Sequence, residues 1–209
     1  TVDVSVYERN KEAADTENRY ILTCKNTDKI CIFTNKGQMH LLKVLDLPYG
    51  KFRDKGIPID NLSNYDSSEE NFIYIINLGA IIHSRLLFGT KTAMLKMVDG
   101  SEFDVAKRTT ASTKLNEDDE LLIAHAMTGG ETVVMQSEKE MFLRIEASTI
   151  PEKKKGAVGV RGMKLNAGDA LSNIYVLDGE SEQTVEVKGK EVVLNRLRVG
   201  NRDTKGTKR

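Results

Sequence analysis

One pattern recurs in order along this chain, and it restricts the fold more than any other feature. "KICIFTNKGQMHLLKVLDLP" starts at Lys29, "RLLFGTKTAMLKMVDGSEF" at Arg85 and "TVVMQSEKEMFLRIEASTIP" at Thr132. Each is a hydrophobic run, a short polar turn, a second apolar run and an apolar stop, at Leu47, Phe103 or Ile150. A basic stretch follows each stop: "KFRDKGIPIDNL", "DVAKRTTASTKL" and "EKKKGAVGVRGMKL". These end on Leu62, Leu115 and Leu165, spaced 53 and 50 residues apart (115 − 62 and 165 − 115). A polar, mostly acidic turn then leads into another apolar run. A fourth unit, "NIYVLDG" to "EVVLNRLRVGNRDTKGTKR", ends on its basic stretch, and the opening "TVDVSVYERNKEAA" reads as the second half of an earlier unit.

The runs are short, rich in Ile, Val, Leu and Thr, and separated by turn pairs such as Asp99-Gly100 and Lys188-Gly189. Many short strands at this spacing predict an all-β fold. A period near 50 with three or four strands per unit is the scale of a propeller blade. One such unit cannot bury both of its faces, but a radial stack of units can. The only helix expected is "ERNKEAADT" (Glu8 to Thr16), which is polar nearly all round and therefore marginal.

Lys and Arg together number 31, as do Asp and Glu, so net charge gives no argument for a polyanionic partner. Placement does. Lys51, Arg53 and Lys55 stand in the first basic stretch, and Lys107 and Arg108 in the second. Lys153, Lys154, Lys155, Arg161 and Lys164 face only Glu152 in the third; Arg196, Arg198, Arg202 and Lys205 belong to the last. Four basic stretches in register would fall at equivalent places on successive blades, on one continuous rim. A duplex following that rim would release counterions at each stretch. Exposed aromatics do not accompany them, which disfavours stacking on single strands, and no basic recognition helix is evident.

The glycines of "KKKGAVGVRG" do not make a phosphate loop. Such a loop opens a helix, whereas Val158, Val160 and Met163 alternate as in a strand. Gly156, Gly159 and Gly162 are expected to let the chain cross tightly between blades. Cys24 and Cys31 form no CxxC and read as reduced thiols. His40, His83 and His125 are scattered and receive no role, the six tyrosines read as packing residues, and the acidic "NEDDE" reads as a solvated turn rather than a Mg²⁺ site. No apolar run approaches the ~20 residues of a membrane span, and no signal peptide opens the chain.

"ICIFTNKGQMHLLKVLDLP", "LLFGTKTAMLKMV" and above all "KKGAVGVRGMKLNAGDAL" resemble the C-terminal domains of bacterial type IIA topoisomerase A subunits, those of DNA gyrase and topoisomerase IV. The resemblance recurs in every unit and covers nearly the whole chain. It implies a β-pinwheel, a propeller-like disc whose four-stranded blades exchange strands with their neighbours, with about four to five blades here. A single DNA-binding domain over 1–209 is expected, cut from a longer protein whose catalytic domain lies upstream. The implied role is to bind and bend double-stranded DNA on the basic rim, without catalysis, metal or cofactor in this domain. The parent would use ATP and Mg²⁺ through other domains, dimerise and pair with an ATPase B subunit. It would work in the bacterial cytoplasm at the nucleoid. The family's Q-R-R-G-G-K-G box is missing, with "FRDKG" (Phe52 to Gly56) and "RDTKG" (Arg202 to Gly206) as partial echoes, so negative supercoiling is not implied. Two other readings compete: a propeller-type protein-interaction platform with an incidental basic rim, and an enzyme with a central site. The latter lacks any convergent acid, base, nucleophile or metal cluster.

Overall fold

The computed structural model describes residues 1–209. Two short helices come first, α1 (Val4–Arg9) and α2 (Lys11–Glu17). Strands follow as β1 (Lys29–Thr34), β2 (Gln38–Lys43), β3 (Phe72–Asn77), β4 (Arg85–Thr90), β5 (Met94–Asp99), β6 (Thr109–Ala111) and β7 (Leu121–Met127). The series continues with β8 (Thr132–Ser137), β9 (Met141–Glu146), β10 (Val160–Arg161), β11 (Leu171–Leu177), β12 (Thr184–Val187), β13 (Lys190–Val193) and β14 (Thr207–Lys208). One further helical turn, Leu78–Ile81, follows β3.

Three antiparallel four-stranded sheets result, ordered β3-β1-β2-β6, β7-β4-β5-β10 and β11-β8-β9-β14, with β12-β13 as a separate pair. The first three strands of each sheet come from one unit. The fourth comes from the basic stretch of the next unit, so β6, β10 and β14 each cross back to the preceding blade. This is the expected strand exchange. The chain therefore holds three complete blades and the inner hairpin of a fourth, the lower end of the expected number.

The inner strands are buried on both faces because each blade is packed between neighbours. Consecutive side chains of a strand point to opposite faces. Leu87 accordingly joins a core with Val133, Met135 and Ile145 of the next blade, while Phe88 joins one with Phe33 and Met39 of the previous blade. Val134 repeats the pattern toward Leu194 and Leu197 of the half blade. Truncating a fully buried Leu such as Leu87 to Ala costs about 2–5 kcal/mol. A 3₁₀ turn closes every hairpin, and its apolar stop is buried at Phe103 and Ile150.

The opening segment departs from expectation. It pairs in no sheet; its backbone groups are met within two short helices and, at Thr1, by Pro48 O and Gly50 N. Asp3 accepts from the Ser5 amide at 2.9 Å and caps α1. The expected Glu8–Thr16 helix exists as parts of α1 and α2, broken at Asn10.

Candidate nucleic-acid interface

The blades fan out. β3 lies against β7, and β7 against β11, with the rings of Tyr74 and His125 6.1 Å apart. These strands form the convergent edge. The exchanged strands β6, β10 and β14 are the opposite edge of each sheet, and the basic stretches that supply them run along it.

Successive stretches touch. Asn64 Nδ2, in the polar turn just after the first stretch, donates to Thr109 Oγ1 in the second at 3.0 Å. The Thr113 hydroxyl donates to Ala157 O at 3.5 Å, joining the second to the third. The third and fourth are stitched by Lys164 N to Thr204 O at 2.9 Å and Asp203 N to Gly162 O at 2.8 Å.

Of the fourteen cations expected at this edge, twelve are exposed; Lys155 and Arg202 are half-buried. Their side chains divide by partner. Arg161 is held bidentately by Asp203, and Arg196 by Glu182 at 3.1 and 3.3 Å. Lys155 Nζ donates to Glu102 O at 3.0 Å, and Arg202 Nη1 to Arg161 O at 2.8 Å. Lys154 stands 3.5 Å from Glu102 but remains 87% exposed. Lys51, Arg53, Lys55, Lys107, Arg108, Lys153, Lys164, Arg198 and Lys205 have no side-chain acid partner. The structure thus places Arg161 and Arg196 in intramolecular ion pairs, a pairing across the fold that a linear reading misses. The Arg161 guanidinium, with Lys164 and Arg202 nearby, holds the Asp203 carboxyl below the usual carboxylate range.

Two glycines shape the third stretch. Gly159 has φ +104°, and a Cβ there would sit 2.6 Å from Leu95 O. At Gly162 it would fall 2.5 Å from a Leu95 methyl and 2.8 Å from Met135 Sδ. Gly206 meets Phe142 O at 2.7 Å in the corresponding crossing of the next blade. Gly156 faces open space, so tight crossing does not require it.

Three groups matter that the linear reading left aside. Lys96 on β5 is 1% exposed, and burial pushes its ammonium down to about 8. His40 is buried on β2, its Nε2 2.6 Å from Glu70 Oε1 and its Nδ1 3.0 Å from Thr109 Oγ1. It ties β6 to the turn before β3. Arg144 on β9 donates to Asn195 O and, at 3.2 Å, to Leu197 O. The signal available for Lys96 and Arg144 is a lone cation within an otherwise apolar inner strand. The "NEDDE" turn is not merely solvated: Asp119 is buried and accepts from Thr92 N at 3.0 Å, while Glu120 pairs with Lys36 and Lys91. Tyr49 is 70% exposed rather than packed.

A cavity of 770 Å³ lies away from the exchanged strands, between the N-terminal helices and Leu45–Ile57. No group of three or more His, Cys, Asp or Glu side chains could hold a metal ion. No helix is long and apolar enough to cross a membrane.

Comparison with known proteins agrees with this architecture. Residues 84–125 and 131–178 match the family model described as DNA gyrase C-terminal domain, beta-propeller. The DNA gyrase A protein of Staphylococcus epidermidis is 31% identical over 196 residues, covering 90% of this chain and 22% of that protein. Its counterpart in Lawsonia intracellularis is 29% identical, covering 88% and 23%. The chain thus spans about a fifth of these relatives' length. The crystal structure of the C-terminal domain of DNA topoisomerase IV superposes with a TM-score of 0.82 at 20% identity, covering 99% of this chain and 67% of that one. The E. coli ParC C-terminal domain gives 0.75 at 15% identity, covering 90% and 79%. Repeats that match the gyrase model, a shared sequence across nine-tenths of the chain and a common fold make this chain similar to the C-terminal domains of gyrase and topoisomerase IV A subunits.

Proposed function

We propose that this chain binds duplex DNA along the edge formed by its exchanged strands, bends it, and performs no catalysis itself. One observation carries the reading: of four basic stretches equivalent by repeat, three touch in series along that edge, and nine of the cations in the four lack an acid partner. A cation left exposed beside others of its sign suffers repulsion unless a polyanion meets it. Contacts of this kind are to sugar and phosphate, so they position the duplex without reading its sequence. Bending follows from the fan of blades, because contacts set on an arc are all satisfied only by a curved duplex, and the added contacts offset the cost of the bend.

On this reading the parent is the A subunit of an ATP-dependent type II topoisomerase. It dimerises, joins an ATPase B subunit, uses ATP and Mg²⁺ in other domains, and acts on chromosomal DNA in the bacterial cytoplasm. The test is fluorescence anisotropy with a random-sequence duplex of about 40 base pairs from 50 to 200 mM salt. If six or more cations meet phosphates, affinity falls by about 10³-fold or more over that range. A nearly flat dependence would favour the protein-interaction platform instead.

A further inference from the structure

We propose that Lys96 is a positioning residue: its buried ammonium fixes the turn that carries Lys153 and Lys154, and so sets where those two cations meet phosphate. The proposal rests on the DNA-binding reading above. Lys96 itself cannot reach DNA, being 1% exposed. Its Nζ lies 3.2, 3.0 and 2.5 Å from the carbonyl oxygens of Lys154, Lys155 and Ala157. An ammonium has three donors, and all three are spent on this one turn.

Nothing else in the surroundings accounts for a lysine there. Its ammonium is 5.8 Å from the centre of the Phe88 ring. The acid facing the same turn, Glu102, spends its carboxylate on Lys155 N at 3.0 Å and on Lys154 Nζ. A buried charge is costly without such bonds, and an apolar side chain would pack beside Phe88 without that cost. What the lysine adds is one hold on three carbonyls of the turn, of which Lys155 O has no other donor.

The neighbouring blades support the assignment. His40 occupies the equivalent place on β2 and grips Thr109 of the incoming strand. In the third blade the next residue along, Arg144, grips Asn195 and Leu197. Opposite Lys96, Gly159 has no side chain, and a Cβ there would come within 3.3 Å of Lys96 Cβ. Each complete blade therefore uses one basic side chain to seat the segment arriving from its neighbour. At Lys96 that segment carries the run Lys153-Lys154-Lys155.

The test compares the 209-residue chain with Lys96→Met, an apolar side chain of similar length. Amide exchange at Lys155 and Ala157 is expected to rise about tenfold or more while Val133 and Ile145 stay protected. The slope of log affinity against log salt is expected to shrink by up to about 1.8, as though two surface cations had been removed, at about 0.9 each. A fold defect alone would not move the slope by that amount while sparing the core amides. Lys96→Arg, which keeps charge and donors, should restore part of both. Unchanged exchange and slope in folded Lys96→Met overturns the proposal. Should Lys96→Met not fold, Lys96→Gln, whose amide cannot donate to all three carbonyls, takes its place, with the same expected result and the same refutation. A shallow slope in the unsubstituted chain refutes the DNA reading and the positioning role with it, and exchange data then report only on the anchor.

Discussion

Lys107, Lys153 and Lys205 are exposed, have no acid partner, and come from three different units, on the segments that supply β6, β10 and β14. If one duplex follows the whole edge, each meets a different stretch of phosphate backbone, and their effects must add. Neutralising one by Gln removes about 0.9 from the salt slope, which near 0.1 M salt is about an eightfold loss of affinity. The triple variant should then lose about 500-fold, about 3.7 kcal/mol. The three singles, the three doubles and the triple are titrated by anisotropy against the same duplex at four salt concentrations. Exposed substitutions of this kind change stability by about 0.5 kcal/mol or less, so thermal unfolding should remain in place and the loss can be assigned to binding. Distant sites add within a few tenths of a kcal/mol. A triple variant no weaker than its weakest single would mean that only one stretch touches DNA, and the continuous edge would be refuted.

The paired cations behave differently. Asp203→Asn frees Arg161 and removes the acid nearest to it, so binding should strengthen, by up to about tenfold, as read in the same titration; weaker binding in a folded variant would show the pair to be needed as built. Gly159→Ala should cost about 2–4 kcal/mol in urea unfolding, because the added Cβ meets Leu95 O at 2.6 Å in a left-handed backbone that also resists a side chain. Alanine tolerated there without loss would contradict the tight crossing. Because Lys96 titrates at about 8 when folded and near 10.4 when unfolded, the unfolded chain binds more protons between those values. Stability of the unsubstituted chain relative to Lys96→Met should therefore rise with pH across that window, as followed by urea midpoints; a constant difference would refute it.

Much of the fold was written into the linear pattern, because the features that encode it are local. The hairpins at Lys29–Lys43, Arg85–Asp99 and Thr132–Glu146 are short apolar runs joined by tight turns, and they fold as read. The spacing of Leu62, Leu115 and Leu165 marked the unit, and the basic stretches between blades were visible as composition. The opening, read as the second half of an earlier unit, instead forms the helices Val4–Arg9 and Lys11–Glu17, because pairing as a blade strand depends on an available edge that this segment does not itself supply. The Glu8–Thr16 helix was legible in part, whereas the start of α1 at the Asp3 cap was not.

The candidate edge was legible as a set of cations and illegible as an electrostatic object. Sequence places Arg161 and Asp203 42 residues apart, and nothing along the chain says that they meet. The same holds for Lys96, whose three acceptors lie 58 to 61 residues away. Alternation, turn chemistry and repeat length depend on neighbours within a few residues, so the amino-acid order alone determined the strands, the unit and where positive charge accumulates. Which charges remain free, which are neutralised and which are buried as anchors depends on distance and dielectric in three dimensions. Only the exchange of strands between blades decided that.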